Sequence, residues 1–297
     1  MADVQPPRTA GTIYDLGYQH YAGERRGRGY AFRTLFGHSF LTAFGIGRGP
    51  KARQLPSLVT ILTVMPAMIM VGIGSATNRP EMINYSQHLG MAAFFIALFV
   101  AGQASEVIVG DKETGTLALY YSRSLHTSDY AIAKLLALAA AITALTFGPQ
   151  FMMFLGKVLL SETPWPAFKG EYTKLLPMAG GALLVSFYMA SVGLVLASLA
   201  AKRANGSALV IAFFIVLPAL QSLVFQILRG SENQRFTVLV NPFLLMTGFA
   251  NWLYDVEARR GMIRSADLPG TWYLWIILGT CALCIAGLLF RYRKAEV

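Results

Sequence analysis

The sequence predicts an all-α, polytopic membrane protein with six transmembrane helices, preceded by an N-terminal helix at the membrane interface. Three observations carry that expectation. Only 13% of the 297 residues are charged and 55% are hydrophobic, where soluble domains carry about 25% charged residues. Mean hydropathy is +0.51. Apolar runs of about twenty residues, the length that crosses a bilayer as a helix, recur along the chain, and the short segments joining them include several rich in Lys and Arg.

The formal net charge of +10 follows from that architecture, because Lys and Arg at the ends of spans set topology and meet anionic lipid. No soluble basic domain with a nucleic-acid motif is present, so no nucleic-acid partner is expected. Cys281 and Cys284 stand in a CxxC spacing inside an apolar run. No His or acid accompanies them there, so they read as small helix- or lipid-facing residues rather than metal ligands.

Residues 1–56 form a cytoplasmic N-terminal segment. It holds no apolar stretch long enough for a signal peptide and is expected to stay unexported. Glu24-Arg25-Arg26-Gly27-Arg28 is a basic cluster, and Phe32, Phe36, Phe40 and Phe44 then recur every four residues. That spacing places them in one slowly drifting row, which suits a helix lying flat on the membrane beside its basic cluster. An ordinary packed helix is the plainer alternative.

The six-span region covers 57–291. The first span is expected at 57–76 with Pro66 as a kink, and the second at 88–105 with His88 at its interfacial end. The third runs over 130–160, long enough to require tilt or a break at Gly148-Pro149. Residues 161–175 carry Trp165 and Tyr172, an aromatic interfacial edge. The fourth span, 176–201, contains Gly180, Gly181, Ala190, Ser191 and Gly193, small enough for close helix contact. After the basic turn 202–206, the fifth span covers 207–228 and the sixth 272–290, leaving 292–297 as a cytoplasmic tail. In the long segment 229–271, Asn241-Pro242 is a helix start, with Asn as cap and Pro in the first position. The apolar stretch 243–254 is too short to cross, and reads as a re-entrant or interfacial helix. The basic N-terminal region, 202–206 turn and tail share one side if there are six spans, and the positive-inside rule makes that side the cytoplasm. Segments 77–87, 161–175 and 229–271 then face out, although Arg259, Arg260 and Arg264 run against the rule.

The polar loop 106–130 holds the densest chemistry. It contains Glu106, then Asp111-Lys112-Glu113-Thr114-Gly115-Thr116-Leu117, then Tyr121-Ser122-Arg123-Ser124-Leu125, followed by Tyr130 and Lys134. A helix is expected from Glu106 to Leu119, with an acidic edge at Glu106, Asp111 and Glu113 and a second helix starting at Ser128-Asp129. Acids on the wet face of a solvated connector are the plainer reading of such a run. In this order, however, the residues resemble the first cytoplasmic loop of ABC-2 type exporter permeases. That pattern runs roughly Glu-x-Gly-Thr-Leu, Ser-Arg-Pro-Leu, then Tyr and Lys before the next span. Ser124 stands where the pattern has Pro, which makes the link less rigid.

The resemblance implies a membrane subunit of an ABC exporter in a prokaryotic plasma membrane, paired with a separate ATP-binding cassette ATPase and with a second permease copy. The loop helix would be the coupling helix: Asp111 and Glu113 would pair with basic groups of the ATPase, with Glu106, Gly115 and Thr116 in the same element. Leu117 would anchor the contact, and Arg123 would hold the turn or bind lipid phosphate. The N-terminal helix with Phe32, Phe36, Phe40 and Phe44 would be the connecting helix.

The remaining chemistry fits a non-catalytic subunit without cofactor. Gly110 to Gly115 is a GxxxxG followed by Thr116 and Leu117, where a P-loop requires Lys and then Ser or Thr. Gly37-His38-Ser39 lacks the closing Gly of a nucleophile elbow. Ionisable residues at bilayer depth are scarce, which disfavours an ion-driven carrier or an intramembrane enzyme. ATP would be bound by the partner. A membrane scaffold or sensor that binds a partner through this loop without transport is the competing expectation.

Overall fold

The computed structural model describes residues 27–77, 79, 83–121, 125–257 and 261–293. The described residues form an all-α bundle, with α1 Arg28–Ala43, α2 Pro50–Ala76, α3 Tyr85–Glu113, α4 Thr116–Tyr121, α5 Thr127–Leu159, α6 Pro164–Glu171, α7 Leu175–Ser198, α8 Arg203–Ile227, α9 Pro242–Leu253, α10 Met262–Ala266 and α11 Gly270–Arg293. Short 3-10 turns join α6 to α7 (Tyr172–Lys174) and precede α9 (Glu232–Leu239). Six helical stretches are long and apolar enough to span: α2, α3, α5, α6 through α7, α8 and α11.

These spans divide into a core and a rim. In the most apolar stretch of α3, 72% of residues are buried, and 61% in those of α5 and α7, but only 22%, 17% and 22% in α2, α8 and α11. Small residues make the core possible. A Cβ on Gly193 of α7 would stand 2.2 Å from Val100 Cγ1 of α3, so only glycine permits that approach. Ala190 and Ser191 are buried beside it.

The spans run longer than their apolar runs. Pro50, in the first turn after Gly49, starts α2 seven residues before position 57, so 50–56 belong to the first span rather than to the N-terminal segment. α5 continues through Pro149 without a break. At 33 residues it is about 50 Å long, against a hydrocarbon core of about 30 Å, so it tilts or projects. The polar residues 164–171 are helical too, with Trp165 exposed and stacked on Phe168 at 5.8 Å.

α1 packs against α5 and α3. Its buried positions are Leu35, Ser39, Thr42 and Ala43, and the phenylalanine row flanks them. Phe32, Phe36, Phe40 and Phe44 are half-buried; Phe36 stacks on Phe40, and Phe44 reaches Phe99 of α3 at 5.9 Å. One side of the helix is therefore packed and the other is open. The cluster Glu24-Arg25-Arg26 lies outside the described residues, as do Arg259, Arg260 and the last four residues.

The C-terminal ends of α3, α7 and α11 and the N-terminal ends of α2, α5 and α8 share one face of the bundle, termed here the inner end. At the outer end, 232–239 and α9 meet at 93°. Asn241 caps α9 by accepting from the Phe243 and Leu244 amides at 2.9 and 3.3 Å, and its own amide donates to Gln221 of α8 at 3.1 Å. Tyr254, just past α9, donates to Gln150 of α5 at 3.0 Å. His88, expected at the entry of its span, is packed inside the bundle. α3 begins three residues earlier, at Tyr85, and the imidazole is fully buried with Nε2 2.9 Å from the Thr63 carbonyl of α2.

Candidate functional site: the inner-end ionic frame

The stretch 106–113 is the last two turns of α3, not a separate helix. Helical geometry then sorts its acids. Glu106 and Glu113 are seven residues apart and share a face, whereas Asp111 points well away from them. Gly115 ends the helix with φ +69, a conformation that favours glycine. The surrounding threonines complete the corner: Thr114 Oγ1 donates to the Gly110 carbonyl at 2.9 Å, and Thr116 Oγ1 to that of Asp111 at 3.3 Å. These contacts satisfy carbonyls that the helix end leaves open. The single helix expected from Glu106 to Leu119 is therefore two helices with a fixed corner between them.

The Glu106/Glu113 face meets α8. Arg203, the first residue of that helix, reaches Glu106 Oε1 through Nη1 at 2.5 Å and Glu113 Oε2 through Nε at 2.6 Å. Its backbone amide also donates to Glu113 Oε1 at 2.7 Å. The N-cap residue Lys202 offers no side-chain cap, so Glu113 caps α8 from across the bundle, where the helix dipole favours an anion. Arg48, in the link between α1 and α2, also bonds Glu106.

The Asp111 face meets α5. Asp111 Oδ2 accepts from Tyr130 Oη at 2.8 Å and from Lys134 Nζ at 2.8 Å. Tyr130 and Lys134 are one turn apart and converge on that oxygen. The Lys134 side chain is only 4% exposed, so its carboxylate partner is essential to its burial. Lys134 also lies over the rings of Tyr130 and Tyr120, at 5.4 and 5.9 Å. A third pair, Arg28 Nε and Nη2 to Asp129 at 2.6 Å each, fastens α1 to the start of α5, where Asp129 also accepts from the His126 amide. The hydrogen bond to Asp129 raises the pKa of Arg28 above its ordinary value. A polar cavity of 170 Å³ lies where these groups meet, lined by His38, Arg48, Glu106, Asp111, Lys134 and Arg203 among others.

The acids expected to face a partner are thus engaged within the chain. Leu117 also turns inward and packs on the core, while Leu119 is 63% exposed. Arg123, with Ser122 and Ser124, lies outside the described residues. Sequence reasoning did not assign Arg48 and Arg203 to the site. The available signal was charge balance: three acids and several cations on one membrane side, with partners set only by the packing of α8 and the α1–α2 link. The GxxxxG of 110–115 is helix end and corner, with no phosphate-cradling loop, and Ser39 is buried inside α1.

A family model described as ABC-2 family transporter protein matches residues 21–297. The chain belongs to this family. It is therefore a multi-pass membrane protein carrying the membrane domain of an ABC transporter permease, a class of subunit that is typically non-catalytic and associates with an ATP-binding cassette ATPase. No curated protein matches the chain. The corner at Gly115 and the charges behind it sit where α3 turns toward α5, at the inner end of the bundle.

Proposed function

We propose that the chain is the permease subunit of an ABC exporter, moving a hydrophobic or amphipathic substrate out of a prokaryotic cell with ATP hydrolysed by a separate subunit. The observation that carries this reading is the α3–α4 corner, where exposed Leu119 projects beside a turn fixed by Gly115 and Thr116. Behind it, Glu106, Asp111 and Glu113 join α3 to α5 and α8. A push on that corner reaches three spans at once.

In this reading Leu119 seats in the ATPase, and the acids transmit the movement rather than bind the partner. ATP stays wholly in the partner, and the permease needs no cofactor. Arg28, Arg48, Lys112, Lys134, Arg203 and Arg291 all lie at the inner end, which makes it the cytoplasmic end under the positive-inside rule and keeps both termini in the cytoplasm. The bent pair 232–253 then faces out and serves as the exit gate. The open faces of α2 and α8 leave room for a second copy as well as lipid, and closed symmetry favours a homodimer.

A detergent pull-down of the tagged chain with the ATPase encoded beside it tests this, comparing wild type with Leu119→Glu. Wild type is expected to retain the ATPase, and the variant to lose at least about tenfold of it, as for a buried hot-spot residue. A wild type that captures no ATPase removes the energy source and favours a scaffold role. Equal capture by the variant moves the contact away from Leu119.

A further inference from the structure

A groove of 620 Å³ opens between the inner ends of α7 and α11, away from the ionic frame. Its walls include Val195 of α7, Leu199 just past its end and Phe290 of α11, with Leu117 at its mouth. Leu199 and Phe290 are 55% and 63% exposed. Val195 lies one turn deeper in the bilayer than Leu199, and Gly287 one turn deeper than Arg291, so the groove climbs from the interface into hydrocarbon. Gly287 leaves space rather than filling it, since a Cβ there would meet nothing within 4 Å.

Two cations stand at the mouth. Lys112 Nζ donates to the Ser198 carbonyl at 2.8 Å, capping α7 and lying over the Tyr292 ring at 5.8 Å. That bond uses one of its three N–H donors. Arg291 is exposed and lines the same groove as Lys112. Among the described residues, no carboxylate lines the groove and Arg291 has no ion-pair partner. Arg28, Arg48, Lys134 and Arg203 at this end each face a carboxylate, unlike the two cations of the groove. Two like charges over an apolar slot at the headgroup level call for an anion that carries its own hydrocarbon.

We propose that this groove holds one anionic phospholipid of the inner-end leaflet, its phosphate between Lys112 and Arg291 and an acyl chain along Val195, Gly287 and Phe290. The site depends on membrane placement alone and not on the transport reading. Because Lys112 and Leu117 flank the Gly115 corner, the lipid would pack against the element proposed to meet the ATPase.

The test is native mass spectrometry of the detergent-purified full chain with phosphatidylglycerol or phosphatidylcholine of identical acyl chains. Wild type is expected to retain one phosphatidylglycerol at concentrations where phosphatidylcholine is not retained. Arg291→Gln is expected to lower retention about fivefold, the effect of one cation near a lipid surface. Gly287→Leu keeps both cations, fills the slot and improves helix propensity, and it is expected to abolish retention. Equal retention of the two lipids, or unchanged retention in both variants, overturns the proposal. Displacement by glycerol phosphate as effective as by phosphatidylglycerol also overturns it, since it leaves a free-anion site without a lipid tail. So does Gly287→Leu binding like wild type.

Discussion

At the inner end, four carboxylates, Glu106, Asp111, Glu113 and Asp129, each face at least one cation, and these pairs bind α1, the α1–α2 link, α3, α5 and α8 together. At the outer end the described ion pairs converge on one carboxylate, Glu171, which takes Lys157 at 2.8 Å, Lys174 at 3.0 Å and the Tyr85 hydroxyl at 3.1 Å. The rest of the outer end is joined by neutral hydrogen bonds: Tyr254 to Gln150, Asn241 to Gln221, and Ser86 to Asn251. Charge-assisted bonds are roughly twice as strong as neutral ones, which contribute about 1 kcal/mol each. The bundle is thus fastened mainly by charge at its inner end and mainly by neutral bonds at its outer end. That asymmetry suits the proposed lever, with the inner end as its fixed end.

The comparison breaks first at Lys134. Replacing it with Met strands Asp111 beside α5 and is expected to destabilise the chain by about 3 kcal/mol, as when one partner of a buried pair is removed. Pairing it with Asp111→Leu is expected to recover most of the loss. Thermal unfolding in detergent reads both, and an unchanged midpoint for the single variant contradicts the ionic frame. Arg203→Ala frees Glu113 and leaves Glu106 with Arg48 alone. Because its side chain is 38% exposed, solvent screening limits the expected loss to about 1 kcal/mol. Its larger expected consequence is weaker coupling between α3 and α8.

Gly115→Ala sharpens the same end: an L residue at φ +69 is expected to lose about 1 kcal/mol, with Leu119 displaced and ATPase capture reduced. The smallest effect belongs to the outer end. Tyr254→Phe removes one neutral hydrogen bond and is expected to lower stability by about 0.5 kcal/mol while increasing proteolytic cleavage or hydrogen exchange around α9. Burial raises the Tyr254 phenol's pKa, so it stays protonated through the physiological range and this tie does not titrate there. A Tyr254→Phe variant as destabilised as Lys134→Met would erase the distinction between the two ends.

Much of this architecture was legible in the sequence. Apolar run length located all six spans, and Asn241-Pro242 marked the start of α9 because cap and first-turn chemistry are local. Span ends were less legible, since helices continue past the hydrocarbon: 106–113 looks like a polar loop but is the end of α3. The acids at Glu106, Asp111 and Glu113 stand out in the sequence, but their partners in the fold lie far along the chain. Arg203 and Arg48 become neighbours only through packing, and no spacing rule pairs them with Glu106. Leu117 and Leu119 carry the same side chain two residues apart. Which one faces out depends on the turn set by Gly115, which sequence pattern alone does not orient.

The most direct test of the lever is the ATP response of the outer end with the inner frame intact or cut. Spin labels at Glu162 and Asn233, both exposed on outer connections, can be followed by double electron–electron resonance in the assembled permease–ATPase complex. In the wild-type frame, ATP is expected to shift the distance between them. With Arg203→Ala the ATPase is expected to remain bound, because Leu119 is untouched, yet the shift is expected to vanish. An Arg203→Ala complex that keeps the full ATP-dependent shift would contradict the claim that the ionic frame carries the movement.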